Sequence, residues 1–425
     1  MASVLVYTSP ARGHLFPILG VALELGNRGH AVHVRTLAPE VEKVRSLGLH
    51  AEPIADAIEA RELDDWRASN PLAALDLAMK TFADRAAEEV DDVRAALSQT
   101  AADALIVDTN CWGAQAVAEA SGLPWAVFQP YFTFLPARGV PPFGPGLARA
   151  TGPLGRIRDA VVRRLVFSQL DRVALPGINH PRARLRLAPL GSIAELPLRP
   201  PRVLYFTAEP LEYPRRQWPS SFRLVGPSTW GHRTATPRWL KAIERPIALV
   251  TCSTELQSDR QIIDTAMQAL PRQGLFVVAT SAAHTAEDFA DASMPHGRVE
   301  RFVPHDAVLE RARVVVCHGG MGITQRALAH GVPVVVVPFG RDQLEVARRV
   351  EHARAGVRLM PRRLNRASLT AAVARAETLR DGAQRVANAF ANAGGCPAAT
   401  DAFEELLDGG ASANPTGSSN AFHTG

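Results

Sequence analysis

Short apolar runs alternate with longer amphipathic stretches along most of the chain. An apolar run over residues 4–7, a helical pattern over about 16–28 and a second predicted strand over 32–36 form the first unit of this kind. A comparable unit, with a glycine-rich turn between its first strand and its helix, spans residues 314–337. This alternation predicts an α/β fold with doubly wound parallel sheets.

Length and composition indicate a two-domain globular protein. The chain has 425 residues, which would give two domains of about 200 residues each. Its last residues are mostly small and polar, which is typical of disorder. The predicted segments are a first domain over 1–225, a linker over 226–237, a second domain over 238–395, a C-terminal helix over 396–408 and a disordered tail over 409–425.

The charge pattern does not indicate a nucleic-acid partner. The net charge is +5, and 44 of the 47 basic residues are arginine because lysine occurs only at Lys43, Lys80 and Lys241. The arginines alternate with acidic and apolar residues, and no run of about five like charges occurs. We attribute the arginine excess to genomic composition.

Cysteine spacing and hydropathy favour a cytoplasmic protein. The four cysteines are widely spaced and match no zinc motif, as expected of reduced thiols. Residues 1–7 lack the basic start and long apolar core of a signal peptide. No apolar stretch reaches about eighteen residues, so we expect no stable insertion into a membrane.

The turn after the apolar run over 314–317 predicts an anion site. His318 and four further residues, three of them glycines, lead directly into a helix. Glycines let backbone N–H groups approach a phosphate closely, and a helix N-terminus favours its charge. The same glycines could serve only to tighten the turn. Asp342 and Gln343 follow the next strand, at an edge of the sheet where ligands usually bind.

Two polar residues follow strands in the first domain. His14 comes after the first strand, in a turn that lacks the Gly-x-Gly-x-x-Gly of dinucleotide folds. Asp108 ends the buried strand over 104–108. Both positions are typical of functional residues, because ligands bind at the carboxyl ends of strands in such sheets. The alternatives are a structural histidine and an Asp108 that caps a helix.

A segment rich in Pro, Gly and Phe over 129–160 follows the strand over 125–128 and predicts a binding loop. Its Phe132, Phe134 and Phe143 are candidates for contact with a flat, apolar molecule. The same aromatic side chains could instead pack the loop against the domain.

The motifs of the second domain resemble those of the family 1 glycosyltransferases of GT-B fold. The match is closest to the bacterial, macrolide-type and natural-product branch. The residues that carry it are His318 to Gly322, Gly331 to Pro333 and Pro338 to Gln343. The resemblance covers about residues 1–407, and it implies two Rossmann-like domains that face a central cleft, with a final helix that crosses back onto the first domain.

The resemblance also implies a donor site for a UDP- or dTDP-sugar. Phe302 would stack on the nucleobase and backbone groups of Val303 would read its edge, although the two could also be an ordinary strand end. Ser253 and Thr254 would contact the β-phosphate, although they could be simple turn formers. The remaining implied contacts are His318, Gly320, Met321, Gly322, Ile323 and Thr324 at the phosphates, and Asp342 and Gln343 at the sugar hydroxyls.

By the same resemblance His14, oriented by Asp108, would deprotonate an acceptor hydroxyl that attacks and inverts the anomeric carbon. The acceptor would be a small apolar molecule such as a polyketide, macrolide or phenolic compound. We expect no metal, no cofactor beyond the nucleotide sugar, and a monomer or homodimer.

Two positions depart from the family pattern. Ile323 stands where a Ser or Thr usually contacts the α-phosphate, and Thr324 is the next candidate. Arg326 stands where a Glu usually binds the ribose hydroxyls, and a guanidinium cannot accept those hydrogen bonds. A different ribose contact is therefore implied.

Other functions stay open at this point. A GT-B sugar-nucleotide epimerase would bind the same nucleotide but would need further acid–base groups at the sugar. A non-catalytic partner protein that binds a nucleotide sugar would not need His14 and Asp108. A hydrolase would need paired carboxylates, which the sequence does not indicate.

Overall fold

The computed structural model describes residues 1–412 except 66, 67, 69, 70, 232–234, 255, 256, 258 and 282–292. The described chain forms two α/β domains of Rossmann type, each built on a parallel sheet of seven strands. The fold class predicted from the alternating pattern is confirmed.

The first sheet has the order β3-β2-β1-β4-β5-β6-β7 and is parallel throughout. Its strands are β1 (Ser3–Tyr7), β2 (Ala31–Thr36), β3 (His50–Pro53), β4 (Ala104–Asp108), β5 (Trp125–Gln129), β6 (Arg202–Tyr205) and β7 (Phe222–Leu224).

The second sheet has the order β10-β11-β9-β8-β12-β13-β14, and only β10 pairs antiparallel within it. Its strands are β8 (Ile247–Thr251), β9 (Phe276–Thr280), β10 (Ser293–Met294), β11 (Gly297–Glu300), β12 (Ala312–Cys317), β13 (Val334–Val336) and β14 (Gly356–Arg358).

Helices connect the strands and cover both faces of each sheet. In the first half of the chain they are α1 (Arg12–Asn27), α2 (Val41–Ser46), α3 (Asp56–Glu59), α4 (Pro71–Thr100), α5 (Trp112–Ser121) and α6 (Pro153–Arg184). In the second half they are α7 (Arg238–Lys241), α8 (Gln261–Ala269), α9 (His305–Leu309), α10 (Met321–Ala329), α11 (Gln343–His352), α12 (Arg366–Glu377), α13 (Arg380–Ala393) and α14 (Gly395–Ser412).

The strands are apolar on both faces because each face packs against helices. In β1, Val4 and Val6 pack with α1 on one face, whereas Leu5 and Tyr7 pack with α4 and α5 on the other. In β12, neighbouring valines divide in the same way between two cores. Burial on both sides explains why these strands are continuous apolar runs rather than alternating ones.

The strand order places the functional loops. In the first sheet, the direction in which successive strands are added reverses between β1 and β4. In the second sheet, it reverses between β8 and β12. A crevice opens at such a reversal, at the carboxyl ends of the strands. His14 follows β1 and Asp108 ends β4, while His318 follows β12.

Helix α6 differs from the prediction. The binding loop predicted over 129–160 ends at residue 152, where one long helix begins that continues through Pro176 and Pro181. A proline removes one helical hydrogen bond. Packing of α6 on α4 offsets that loss, because Leu170, Ala174 and Ile178 are buried against residues of α4.

The C-terminal helices also differ in their limits. The second domain ends in two separate helices, α12 and α13, and Asn365 caps α12 through a capping box with Ser368. Helix α14 packs on α1, where Arg28 binds Asp401 and Glu404 at 2.6 and 2.7 Å. It continues to Ser412, into the segment predicted as a tail; residues 413–425 lie outside the described part.

Candidate active site

A cleft of about 1650 Å³ lies between the carboxyl ends of the two sheets. One wall carries His14 and Phe143 from the first domain, and the other carries Asp342 and the glycine turn (residues 318–322) from the second. Concave sites at such strand ends are where doubly wound proteins bind ligands.

His14 and Asp108 form a hydrogen-bonded pair at one side of this cleft. Nδ1 of His14 is 2.7 Å from Oδ2 of Asp108, whose side chain is fully buried. The other carboxylate oxygen accepts the N–H of Asn110 at 2.8 Å, which fixes the orientation of the carboxylate. With Nδ1–H donating to Asp108, Nε2 is the atom of the ring that can take up a proton.

The environment of His14 favours its protonated form. Burial lowers the pKa of His14, but the charge and the hydrogen bond of Asp108 outweigh it, so the pKa is raised above the usual value. Asp108 does not cap α5. The N–H groups of Gly113 and Ala114 at the start of α5 donate instead to the buried Glu89 of α4, at 2.8 and 3.3 Å.

The glycine turn leads into the N-terminus of α10. Gly320 is the N-cap, and the Thr324 N–H donates to its carbonyl at 3.1 Å. The N–H groups of residues 321–323 precede this bond and have no partner within the helix. Together with the helix dipole, such N–H groups favour an anion, and this predicted anion site lies on the wall of the cleft.

Close contacts require two of the glycines. Gly319 has a φ of +98°, and a Cβ there would lie 2.6 Å from Cγ1 of Val336. A Cβ on Gly320 would lie 2.5 Å from Nε2 of His318. A larger residue at either position would therefore displace the neighbouring strand or the imidazole.

His318 is neutral in this environment. Burial is the main cause that lowers its pKa to about 4, against the opposing charge of Asp259. Its Nδ1 and Oγ1 of Thr251 have no hydrogen-bond partner among the described residues. Buried polar atoms without partners are rare, and both residues line the cleft.

Protein contacts fix the turn after β8. The Ser253 N–H donates to Oδ2 of Asp259 at 2.6 Å, and the Ser253 hydroxyl accepts from Gln257 at 3.1 Å. Both Ser253 and Thr254 line the cleft, and Thr254 is exposed there. The turn therefore adds hydroxyl groups beside the anion site.

Asp342 and Gln343 have different environments. Asp342 lines the cleft, and burial raises its pKa to about 6. The Gln343 side chain is buried: its oxygen accepts the N–H of Phe339 at 2.7 Å, and its nitrogen donates to Gln257 at 2.8 Å. Asp342 therefore faces the cleft, while Gln343 links its loop to the turn after β8.

Phe302 and Val303 lie at the far end of the same wall. The Phe302 side chain lines the cleft and is 64% exposed, which is unusual for a large aromatic residue. Val303 is buried in the core, so that its backbone rather than its side chain is available to the cleft. An exposed ring of this kind can stack on a planar ligand.

Arg326 is held in an ion pair. One guanidinium nitrogen donates to Asp306 at 2.8 Å and another to the carbonyl of Trp230, also at 2.8 Å. The arginine thus connects α10 to α9 and to the interdomain segment. It brings the Asp306 carboxylate to the edge of the cleft, which both residues line.

Three predicted residues lie away from the cleft. Thr324 is fully buried, with its hydroxyl 3.7 Å from Sγ of Cys317. Phe132 is buried under the guanidinium of Arg349, 4.2 Å from the ring centre, and Phe134 packs in the core between α4 and α6. Of the three aromatic candidates in the loop, only Phe143 lines the cleft.

The apolar wall beside His14 comes mainly from α4. These side chains of α4 also contribute to the core between α4 and α6, in which Phe82 is buried. The residues that form this wall are Leu75, Ala78, Met79, Phe82, Phe143 and Val166.

Within the described ranges, no group of three or more His, Cys, Asp or Glu side chains could hold a metal ion. No helix of that part of the chain is long and apolar enough to cross a membrane.

Comparisons with known proteins match both domains. Residues 266–406 match the family model described as erythromycin biosynthesis protein CIII-like, C-terminal domain. The chain is 32% identical over 395 residues to 4'-demethylrebeccamycin synthase of Lentzea aerocolonigenes, and the match covers 88% of this chain and 91% of that protein.

Solved structures share the fold. The glycosyltransferase of kitacinnamycin superposes with a TM-score of 0.74 at 23% identity, over 96% of this chain and 99% of that one. SsfS6 of Streptomyces sp. SF2575, complexed with thymidine diphosphate, gives 0.68 at 19% identity, over 95% and 100%. With the relative from Lentzea, these matches show that the chain belongs to the GT-B-fold glycosyltransferases of the bacterial natural-product type.

Proposed function

We propose that the protein is an inverting glycosyltransferase that moves a sugar from UDP or dTDP to a hydroxyl of a small, largely apolar acceptor. The observation that carries the proposal is the position of the His14–Asp108 pair, which faces the anion site of α10 across one cleft. A base on one side and a phosphate site on the other is the arrangement that a single displacement needs.

The reaction would proceed in one step. The acceptor O–H gives its proton to Nε2 of His14 while its oxygen attacks the anomeric carbon. The bond between that carbon and the phosphate oxygen breaks on the opposite face, and its electron pair leaves with the nucleoside diphosphate. Asp108 stabilises the imidazolium that forms.

Charge on the leaving diphosphate has to be stabilised as the bond breaks. The N–H groups of residues 321–323, the dipole of α10 and the hydroxyl groups of Ser253 and Thr254 are placed for this task. Neutral His318 would serve as a hydrogen-bond donor. Because these groups supply the stabilisation, we propose that transfer needs no divalent metal.

The choice of UDP or dTDP rests on Phe302 and Val303, and on relatives. SsfS6 and VinC have structures with thymidine diphosphate. Asp306 is bound by Arg326, the residue at the position where a ribose-binding Glu would stand, and its carboxylate could accept a ribose hydroxyl. Asp342 would bind the sugar. The apolar wall of α4 supports an apolar acceptor.

Thermal unfolding with UDP, dTDP, GDP and ADP in EDTA tests the donor site. UDP or dTDP at about a hundred times its Kd should stabilise the protein by about 2.7 kcal/mol. Gly320→Ala should remove this effect, since a Cβ there meets the His318 ring. Gly152→Ala is the control, because a Cβ at that position has no neighbour within 4 Å. No stabilisation by any of the four nucleotides would contradict the proposal.

The pH profile tests His14 as the base. Since the base must be neutral to accept a proton, kcat/KM for the acceptor should rise with pH through the pKa of His14. That limb should lie above the value of an ordinary histidine, because Asp108 raises this pKa against the effect of burial. In Asp108→Asn it should move to lower pH. A limb that stays in place in this variant would exclude His14 as its origin.

A further inference from the structure

An ion pair crosses the cleft beside the proposed donor sugar. Nε and Nη2 of Arg341, in the second domain, donate to Oδ2 and Oδ1 of Asp65, in the first, both at 2.8 Å. The Asp65 side chain is 4% exposed and that of Arg341 23%. A bidentate guanidinium–carboxylate pair of this kind fixes orientation as well as distance.

Both partners belong to segments that form the active site. Arg341 directly precedes Asp342 in the loop between β13 and α11. Asp65 ends the segment over 56–65, whose Glu59, Glu62 and Leu63 line the cleft on the acceptor side. The pair therefore ties the loop that carries the proposed sugar ligand to the segment that would border the acceptor.

The backbone of Arg341 is in an unusual conformation. Its φ is +53°, in the left-handed region that non-glycine residues rarely adopt. The other described non-glycine residues with positive φ are Ala101, Arg186 and Arg354, and each follows the end of a helix, where this conformation is common. Arg341 instead precedes a helix. Such a conformation persists where surrounding contacts determine it, as the Asp65 pair does here.

Arg341 is also close to the reacting groups. Its positive charge acts on His14, Asp342 and His318. At His318 this charge adds to the effect of burial, and both lower the pKa of the imidazole. A guanidinium in this place could act in two ways. It could bind the diphosphate directly, or it could hold the two sides of the cleft together.

We infer that Arg341 and Asp65 form a latch that holds the segment over 56–65 against the donor-site loop, positions the acceptor hydroxyl and keeps water from the anomeric carbon. The inference rests on the proposed transferase function. The bidentate contact supports a latch rather than a diphosphate ligand, because Asp65 already occupies the guanidinium edge formed by Nε and Nη2. Arg341 is thus a positioning residue.

The test compares Asp65→Asn, Arg341→Gln and the double variant. Each should raise KM for the acceptor by about tenfold and increase donor hydrolysis relative to transfer, with Kd for the nucleoside diphosphate within about twofold of wild type. The double variant should be no worse than either single one, because one contact is lost in all three. Arg184→Gln, which breaks the exposed pair with Asp91 outside the cleft, should change none of these quantities.

Two results would overturn the latch. If Arg341→Gln weakens nucleotide binding while Asp65→Asn does not, Arg341 is a diphosphate ligand. If the effects of the single variants add, the two residues act separately.

Amide hydrogen exchange gives a readout that does not depend on transfer. Amides of the segment over 56–65 should exchange faster in both single variants than in wild type. In Arg184→Gln their exchange rates should be unchanged. Unchanged exchange in the first two would also contradict the latch. A wild type that neither transfers a sugar nor binds a nucleotide would count against the proposed function, whereas the exchange result would still decide whether the contact holds the segment.

Discussion

Replacing His14 with alanine is expected to lower kcat for sugar transfer by about 10²- to 10⁴-fold, the usual contribution of a general base. The affinity for nucleoside diphosphate should stay the same, because the anion site belongs to α10 and the turn after β8. Steady-state kinetics with the natural or a model phenolic acceptor, together with calorimetry of nucleotide binding, would measure both quantities.

His14→Gln is the matched variant for this prediction. It keeps a polar side chain of similar reach but cannot accept and hold a proton at neutral pH. Because the loss is chemical rather than structural, it should be as inactive as the alanine variant, and it should melt within a few degrees of wild type, since its amide N–H can donate to the buried Asp108 in place of the imidazole. Activity in either variant above about a tenth of wild type would show that another group is the base.

Sequence and structure agree best for candidate site residues that lie close together in the chain. The glycine turn and His14 could be predicted because a strand end, a turn and a helix start are neighbours in sequence, so the chemistry of the site is visible in one stretch. The pairing of His14 with Asp108, which lie 94 positions apart, is implied by the family resemblance, because spacing in the sequence does not show it. In the structure β1, which precedes His14, and β4, which ends in Asp108, are direct neighbours.

Predictions failed where a contact depends on residues far away in the chain. Phe132 has the sequence features of an acceptor ligand, but its ring packs on Arg349, which lies over two hundred positions further along. Met79 and Phe82 of α4 pack in the core, as an apolar helix face predicts, but they also line the cleft, which their sequence pattern does not show. Which cavity a side chain faces depends on tertiary packing, and a single sequence does not show that.

The cluster around Arg349 is a feature that the sequence did not indicate. Arg349 is 1% exposed and binds Glu212 of the first domain at 2.9 Å and Glu345 of α11 at 2.6 Å. Its guanidinium lies between the rings of Phe132 and Tyr213, at 4.2 and 4.4 Å from their centres. The cluster therefore joins the two domains at a place away from solvent.

Arg349→Met is expected to lower the free energy of unfolding by about 3–5 kcal/mol, because removing one partner leaves buried carboxylates without compensation. That is a large part of the roughly 5–15 kcal/mol that stabilises a typical domain. Urea unfolding followed by circular dichroism would measure it. Arg348→Met is the control: this neighbour forms a partly exposed pair with Glu351, and such pairs contribute about 0–1 kcal/mol.

The loss of unfolding free energy in Arg349→Met should depend on pH, and the direction of this dependence identifies its cause. A buried carboxylate that has lost its partner can be neutralised by a proton, so Arg349→Met should be less destabilised at about pH 5 than at about pH 8. Adding Glu212→Gln and Glu345→Gln should restore part of the lost stability for the same reason. Equal destabilisation at both pH values, without rescue by these changes, would assign the loss to packing between Phe132 and Tyr213 rather than to charge.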